Sequence, residues 1–226
     1  MKRMLYRVLV LLLFVGLMMG ASTTAQAASE KSDGNNMKKV LSYYKQGKYS
    51  AASKYCKKLN KNAKEACVKK MSKGMKKAYK KIVKKYPVST ASFSDPYLWG
   101  YYLTDMDNDK KADLIVQIGT CEADARAYVY QYKKGKAVKV ATLAGGHVVY
   151  YAYPKHNGIV MLWGHMGYDS VSVAKLKNGK VTSEAIGSRE INYQKGGSFL
   201  PLGCKLDDHV DYDSSYKRKV DFSPFK

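Results

Sequence analysis

Between residues 37 and 86 the chain carries eighteen lysines and a single acid, Glu65, for a net charge of +17 within a total of +22. Residues 87–226, by contrast, hold eighteen basic and fifteen acidic residues, a net +3. The chain therefore divides by charge, with a boundary near Tyr86-Pro87. The basic segment contains no proline, and from Ala63 onward Cys67, Met71, Met75, Ala78, Ile82 and Tyr86 recur at spacings of four, four, three, four and four. That is one apolar stripe on a helix of about 3.6 residues per turn, with lysine on the other faces. Gly47 and Asn60-Lys61-Asn62 punctuate the segment and Pro87 stops it, which predicts a lysine-rich helical hairpin of two short helices and one long one. Lysines at i, i+4 repel by a few tenths of a kcal/mol each. The segment thus calls for an anionic partner: an envelope polymer such as wall teichoic acid, a lipid headgroup surface, or the Asp-rich part of the same chain. A solvated lysine face is the plain alternative. Beyond the first residues only Arg126, Arg189 and Arg218 are arginines, which argues against base-specific nucleic-acid recognition. The stripe suits docking on the neighbouring domain better than lying on a membrane.

The first residues read as a signal peptide over 1–27. Lys2, Arg3 and Arg7 precede an apolar run from Val8 to about Ala21, and Ala25-Gln26-Ala27 supplies the small residues of a cleavage site. The run is short for a bilayer span, which needs about 20 residues. Residues 28–36 are small and polar, and read as a flexible lead-in. Export to the cell envelope or beyond changes the reading of the four cysteines, Cys56, Cys67, Cys121 and Cys204. Outside the cytoplasm an even set pairs more often than it stays reduced. Of the three pairings, Cys56–Cys67 across the Asn60–Asn62 turn, with Cys121–Cys204, is preferred.

After Pro87 short runs rich in Val, Ile, Tyr and Trp alternate with Gly, Asn and Asp. Lys134-Gly135, Asn157-Gly158 and Asn178-Gly179 have the chemistry of tight hairpin turns. The expected class is α+β: the helical arm over 37–86, then an antiparallel β-meander over 87–226 in a sandwich, barrel or propeller-like form. Tyr128, Tyr130 and Tyr132 share one strand face, with Tyr97, Trp99, Tyr101, Tyr151, Tyr153 and Trp163 on others. They suit either a strand face packed in a core or a sugar-stacking platform.

The stretch TDMDNDKKADLIV (residues 104–116) gathers Asp105, Asp107, Asp109 and Asp113 just before an apolar run. Carboxylates at relative positions 1, 3, 5 and 9, with the carbonyl of Lys111 at position 7, converge when the chain wraps a tight loop. Oxygen-only ligation of this kind suits Ca²⁺, and without an ion the carboxylates repel. The loop resembles the D-x-D-x-D-G-x-x-D-L calcium loops of FG-GAP/VCBS-type secreted and cell-surface modules, matched by Asp105, Asp107, Asp109, Asp113 and Leu114. The resemblance implies a calcium loop between two strands. Lys110 departs from it, standing where the loop has Gly, at a cost of about 1 kcal/mol if φ must be positive. More broadly, GTCEAD, AGGH and WGHMGYD resemble secreted proteins of Gram-positive, Clostridium-like bacteria, which implies export and a β-rich fold and no particular activity.

An enzymatic reading rests on His147, His165, Glu122, Asp169 and Cys121. Gathered together, they would make an extracellular hydrolase site, with Zn²⁺ held by the histidines and a carboxylate, an acid–base pair, or a Cys–His nucleophile. None has a diagnostic spacing. LDDHVDYD further aligns Asp207, His209, Asp211 and Asp213 on one side if extended. The leading expectation is a secreted, non-catalytic binding protein, stabilised by Ca²⁺ and held to an anionic envelope polymer or membrane surface by its lysine-rich helices. The hydrolase and a Tyr/Trp-faced glycan-binding domain are the alternatives.

Overall fold

A computed structural model describes residues 25–63, 68–88, 95–212 and 218–226. Residues 1–24 of the expected signal peptide, Glu65, Cys67 and Asp213, and with them the expected Cys56–Cys67 pairing, lie outside the described residues. The molecule is α+β with a β-rich part.

Three helices come first: α1 over residues 25–45, α2 (Tyr49–Cys56) and α3 (Lys73–Val83). Helix α1 buries Asp33, Met37, Val40, Leu41 and Tyr44, a stripe at the helical period. Residues 28–36, expected as a flexible lead-in, therefore belong to a helix. Gly34 is what lets it sit down, because a Cβ there would collide with the backbone of Pro154. Gly47, at φ +69, turns the chain into α2. The expected long helix from Ala63 is shorter: a 3-10 turn at Val68–Lys70 precedes α3, whose N-cap Ser72 accepts a hydrogen bond from the Met75 N–H. The longest helix is the first one. The buried stripe on α3 is Met75, Tyr79 and Val83, every fourth residue, continued before its N-cap by Met71, with Ile82 and, past its end, Tyr86 partly buried beside it.

Eight strands form two separate antiparallel meanders. The first runs β1 (Tyr97–Thr104), β2 (Asp113–Gly119), β3 (Arg126–Lys133) and β4 (Lys136–Ala144) in order. The second runs β5 (Val148–Ala152), β6 (Ile159–His165), β7 (Tyr168–Lys177) and β8 (Lys180–Glu190), and a short ribbon pairs β9 (Val210–Tyr212) with β10 (Arg218–Val220). Lys134-Gly135 and Asn178-Gly179 make two-residue turns with both residues at positive φ, as expected. Met166-Gly167 does the same between β6 and β7, at φ 47 and 83, without the Asn or Asp that marks such turns in sequence.

Strand β2 is buried along its whole length, and its two faces serve two cores. Ile115, with Tyr102, Ala127 and Val129 of its neighbours, joins a core shared with the second sheet, α1 and α2. Leu114, Val116 and Ile118 face the other way, with Tyr101, Leu103 and Tyr130, against α3 and Phe225 near the C-terminus. The lysine-rich segment is thus not a detached arm. Each of its helices closes one of the two cores.

Candidate metal centre

The aspartate loop links Thr104 of β1 to Asp113 of β2, where the register pairs these two residues across the ladder. Its turns need two residues at positive φ, Asn108 (60°) and Lys110 (68°). Asparagine tolerates that region; lysine does so only at a steric cost. The carboxylates hold the loop by accepting backbone hydrogen bonds: Asp105 Oδ2 from Lys110 N at 2.9 Å, Asp107 Oδ1 from Asp109 N at 3.2 Å, and Asp109 Oδ1 from Lys111 N at 2.7 Å.

Asp105, Asp107 and Asp109 each offer an oxygen within 4.8 Å of the others. Two oxygens on opposite sides of a Ca²⁺ with bonds of about 2.4 Å stand about that far apart. Asp105 supplies the sharper test: its Oδ1 is buried with no hydrogen-bond partner, and its pKa is raised by burial, with Asp109 and Asp107 adding to the rise. A cation against that oxygen would remove a standing penalty. The donor set fits a hard cation.

Asp113 lies outside this cluster. It is 4% exposed, accepts from Met106 N at 2.9 Å, and ties the loop to the start of β2. Burial pushes its carboxyl up to about 7, the Met106 N–H pulling the other way and Asp107 pushing further up. Lys111, expected to offer its carbonyl, also sets its ammonium 2.9 Å from Asp109 Oδ2. Gln131 of β3 donates to Asp107 Oδ2 at 3.0 Å, and Asn108 donates to Asn157 Oδ1 at 2.9 Å. No local pattern announces these last two contacts, because they join residues 24 and 49 positions apart.

The loop also walls a cavity of about 540 Å³, completed by the start of α1, residues 60–63 and the turn after β5. Within it Asp33 is buried and accepts from Asn60 N at 3.2 Å and Asn60 Nδ2 at 2.5 Å.

Of the proposed hydrolase residues the structure unites three. Glu122 Oε2 is 3.3 Å from His147 Nδ1, and the rings of His147 and His165 stack with centroids 4.1 Å apart and planes inclined by 14°. Imidazole lone pairs lie in the ring plane, so two nearly parallel rings cannot aim at one zinc ion between them. Among the described residues no hydrogen bond joins the exposed Cys121 to either histidine. Asp169 belongs elsewhere: it is wholly buried, gripped by Arg189 at 2.9–3.1 Å and by the Tyr44 hydroxyl at 2.5 Å. Its oxygens are held by Arg189 and Tyr44, and among the described residues no hydrogen bond or ion pair joins it to Glu122, His147 or His165. The preferred Cys121–Cys204 bridge is absent as well, since Cys121 is exposed on the β2–β3 loop and Cys204 is buried in the core with its thiol against Asp33.

The aromatic rows divide in the same way. Tyr101, Tyr130 and Tyr151 are buried, and Tyr128 and Tyr132 pack on the core under α3. Lys139 Nζ sits 3.8 Å over the Tyr128 ring. That face is used by packing. In LDDHVDYD, His209 turns inward at φ 52, stacks on Tyr101 at 4.6 Å, and breaks the expected alternation of side chains.

The outer side of α3 carries Lys73, Lys76, Lys77, Lys80 and Lys81, with Lys84 and Lys85 just beyond, and β4 beside it adds Lys136 and Lys139. Among the described residues none of these nine lysines is paired with a side-chain carboxylate. Lys76 instead donates to the Lys226 backbone oxygen, and Lys80 and Lys84 each lie 5.8 Å from the Phe222 ring centroid. The chain matches no protein-family model, and comparison with curated proteins and with solved structures found no match.

Proposed function

We propose that the protein is an exported, non-catalytic binding protein. Its β-rich body is braced by Ca²⁺ at the aspartate loop and held on an anionic envelope polymer by the lysines of α3 and β4. One observation carries this reading: nine lysines on α3, just beyond it and on the contacting strand β4 have no side-chain carboxylate partner among the described residues. Like charges gathered this way repel, and a polyanion relieves them all at once. Because Met71, Met75, Tyr79 and Val83 are spent against the first sheet, α3 has little apolar face left to enter acyl chains. That favours a soluble or wall-bound polymer over membrane insertion.

The test is retention on immobilised polyglycerol phosphate. Elution should fall within a rising salt gradient, because exposed charge contacts are screened beyond a Debye length of about 8 Å at physiological ionic strength. Replacing Lys77, Lys81, Lys84 and Lys85 by glutamine should bring elution to markedly lower salt. Equal elution of the two proteins sinks the proposal.

The Glu122–His147 contact is the observation behind the hydrolase alternative, as an acid–base pair at the surface. Under that alternative, changing His147 and His165 to alanine abolishes hydrolysis of an envelope glycan; under the binding reading, neither protein hydrolyses it.

A further inference from the structure

At the end of the second sheet that carries the Met166-Gly167 turn, strands β6, β7 and β8 leave one face open. The register sets Trp163 opposite Ser170 and Ser170 opposite Ser188; two residues further out, it sets His165 opposite Tyr168 and Tyr168 opposite Glu190. Directly paired residues, and residues two apart along a strand, point to the same face. These six side chains therefore form two rows of three, a patch about 10 Å by 7 Å from the strand spacing and rise. Trp163 and Ser170 are half-buried and the other four are exposed. Between the rows, Gly164 and Asp169 face the other way, against the Phe199 ring and the Arg189 guanidinium. His147 extends the open face, its ring stacked on His165 at 4.1 Å and its Nδ1 3.3 Å from Glu122 Oε2.

The polar groups of this face are unspent. Among the described residues Trp163 Nε1, the hydroxyls of Tyr168, Ser170 and Ser188, and the Glu190 carboxylate make no hydrogen bond or ion pair to another protein group. Trp99, the other tryptophan, is the contrast. Its ring carries the Arg218 guanidinium at 4.7 Å, and its N–H donates to the Gly119 carbonyl at 3.2 Å.

The chemistry of the patch selects its occupant. None of the six positions is lysine or arginine, in a chain of net charge +22, and Glu190 and Glu122 make the face locally acidic. A polyanion is repelled here. A lysine or arginine side chain suits the carboxylates but accepts no hydrogen bond, so it leaves the indole N–H without an acceptor. Sugar hydroxyls both donate and accept, and the C–H face of a sugar ring is apolar enough to lie on an aromatic ring.

We infer that this face binds a neutral glycan. One sugar ring lies on Trp163, its hydroxyls exchanging hydrogen bonds with Ser170, Ser188 and Glu190, and the chain continues over Tyr168. The inference goes beyond the polyanion reading and does not depend on it, because the ligand is uncharged and none of its contacts is a lysine.

The experiment titrates the purified protein with chitotetraose, cellotetraose and maltotetraose in molar sodium chloride, where the Debye length is about 3 Å. NMR follows the indole N–H signals of Trp163 and Trp99. At least one oligosaccharide is expected to shift the Trp163 signal saturably and leave that of Trp99 in place. Trp163→Ala should weaken binding, measured by calorimetry, by about tenfold or more. The double variant Tyr168→Ala, Glu190→Gln changes only exposed side chains, keeps the indole reporter, and should weaken binding by about fivefold or more. The glutamine variant at Lys77, Lys81, Lys84 and Lys85 should bind the oligosaccharide like the parent. The inference fails if no oligosaccharide saturates the Trp163 signal, if the Trp99 signal moves in its place, or if the double variant binds like the parent. A shift produced at low salt by tetralysine, and by no oligosaccharide, would assign the face to a cationic peptide and overturn it as well. Equal elution of the lysine variant from polyglycerol phosphate, with oligosaccharide binding intact, sinks the polyanion reading alone.

Discussion

Lys110 occupies a backbone position at φ 68 that costs a lysine about 1 kcal/mol relative to glycine. Lys110→Gly should therefore raise the denaturation free energy by about 1 kcal/mol or less, the flexibility of glycine in the unfolded chain offsetting part of the gain. Calorimetry should show tighter Ca²⁺ binding in the same variant, because the loop would close on the ion without strain. Asp113 sets a pH dependence. Folding raises its carboxyl from 3.8 to about 7, chiefly by burial, so the folded protein holds this proton more tightly than the unfolded one. Its contribution is fully present below about pH 4 and is lost as pH rises through about 7. In EDTA the contribution of this group to the melting temperature should fall between those limits, and Asp113→Asn should flatten that part of the profile. The buried thiols give a chemical readout. Burial pushes Cys56 up to about 11 and Cys204 up to about 12, so both are protonated and inert at neutral pH. Iodoacetamide applied to the native protein should modify the exposed Cys121 and spare Cys56 and Cys204, as peptide mass analysis would show.

At the scale of elements, helix α1 is fastened to the second sheet by a charge buried in the core. Asp169 of β7 receives Arg189 of β8 and the hydroxyl of Tyr44, and the Arg189 guanidinium lies 4.8 Å over the Tyr49 ring. Breaking one half of such a pair leaves the other half uncompensated. Asp169→Asn should cost about 3–5 kcal/mol in chemical denaturation, far more than an exposed ion pair such as Lys175–Glu184. None of this was legible beforehand, because residues 44, 169 and 189 meet only after two sheet strands and a helix are in place. The α3 stripe was half legible. The sequence spacing marks Met71 and Met75, which are buried, but continues through Ala78 and Ile82, whereas the helix buries Tyr79 and Val83. A buried tyrosine needs a polar partner, and Tyr79 finds one in the Ala112 carbonyl at 2.8 Å. That carbonyl comes from the aspartate loop, which no pattern within the helix could supply.

For the molecule as a whole, the charge excess makes salt a stabiliser. With the α3 and β4 lysines unpaired by side-chain carboxylates among the described residues, raising sodium chloride should screen their repulsion and lift the melting temperature. The glutamine variant at Lys77, Lys81, Lys84 and Lys85 should respond less, and a flat response in the parent protein would contradict the repulsion argument. The amino-acid sequence by itself determined the α+β class, the division of charge, two of the tight turns and the aspartate loop between two strands. Each of these is written in neighbouring residues, through helical period, turn chemistry or carboxylate spacing. Tertiary structure alone decided that the lysine-rich helices close the two cores, that Asp169 is held by Arg189 and Tyr44, that Cys121 and Cys204 stay apart, and that a cavity opens beside the aspartates. Those outcomes depend on which distant surfaces exclude water together, and burial of that kind has no signature in any single stretch of chain.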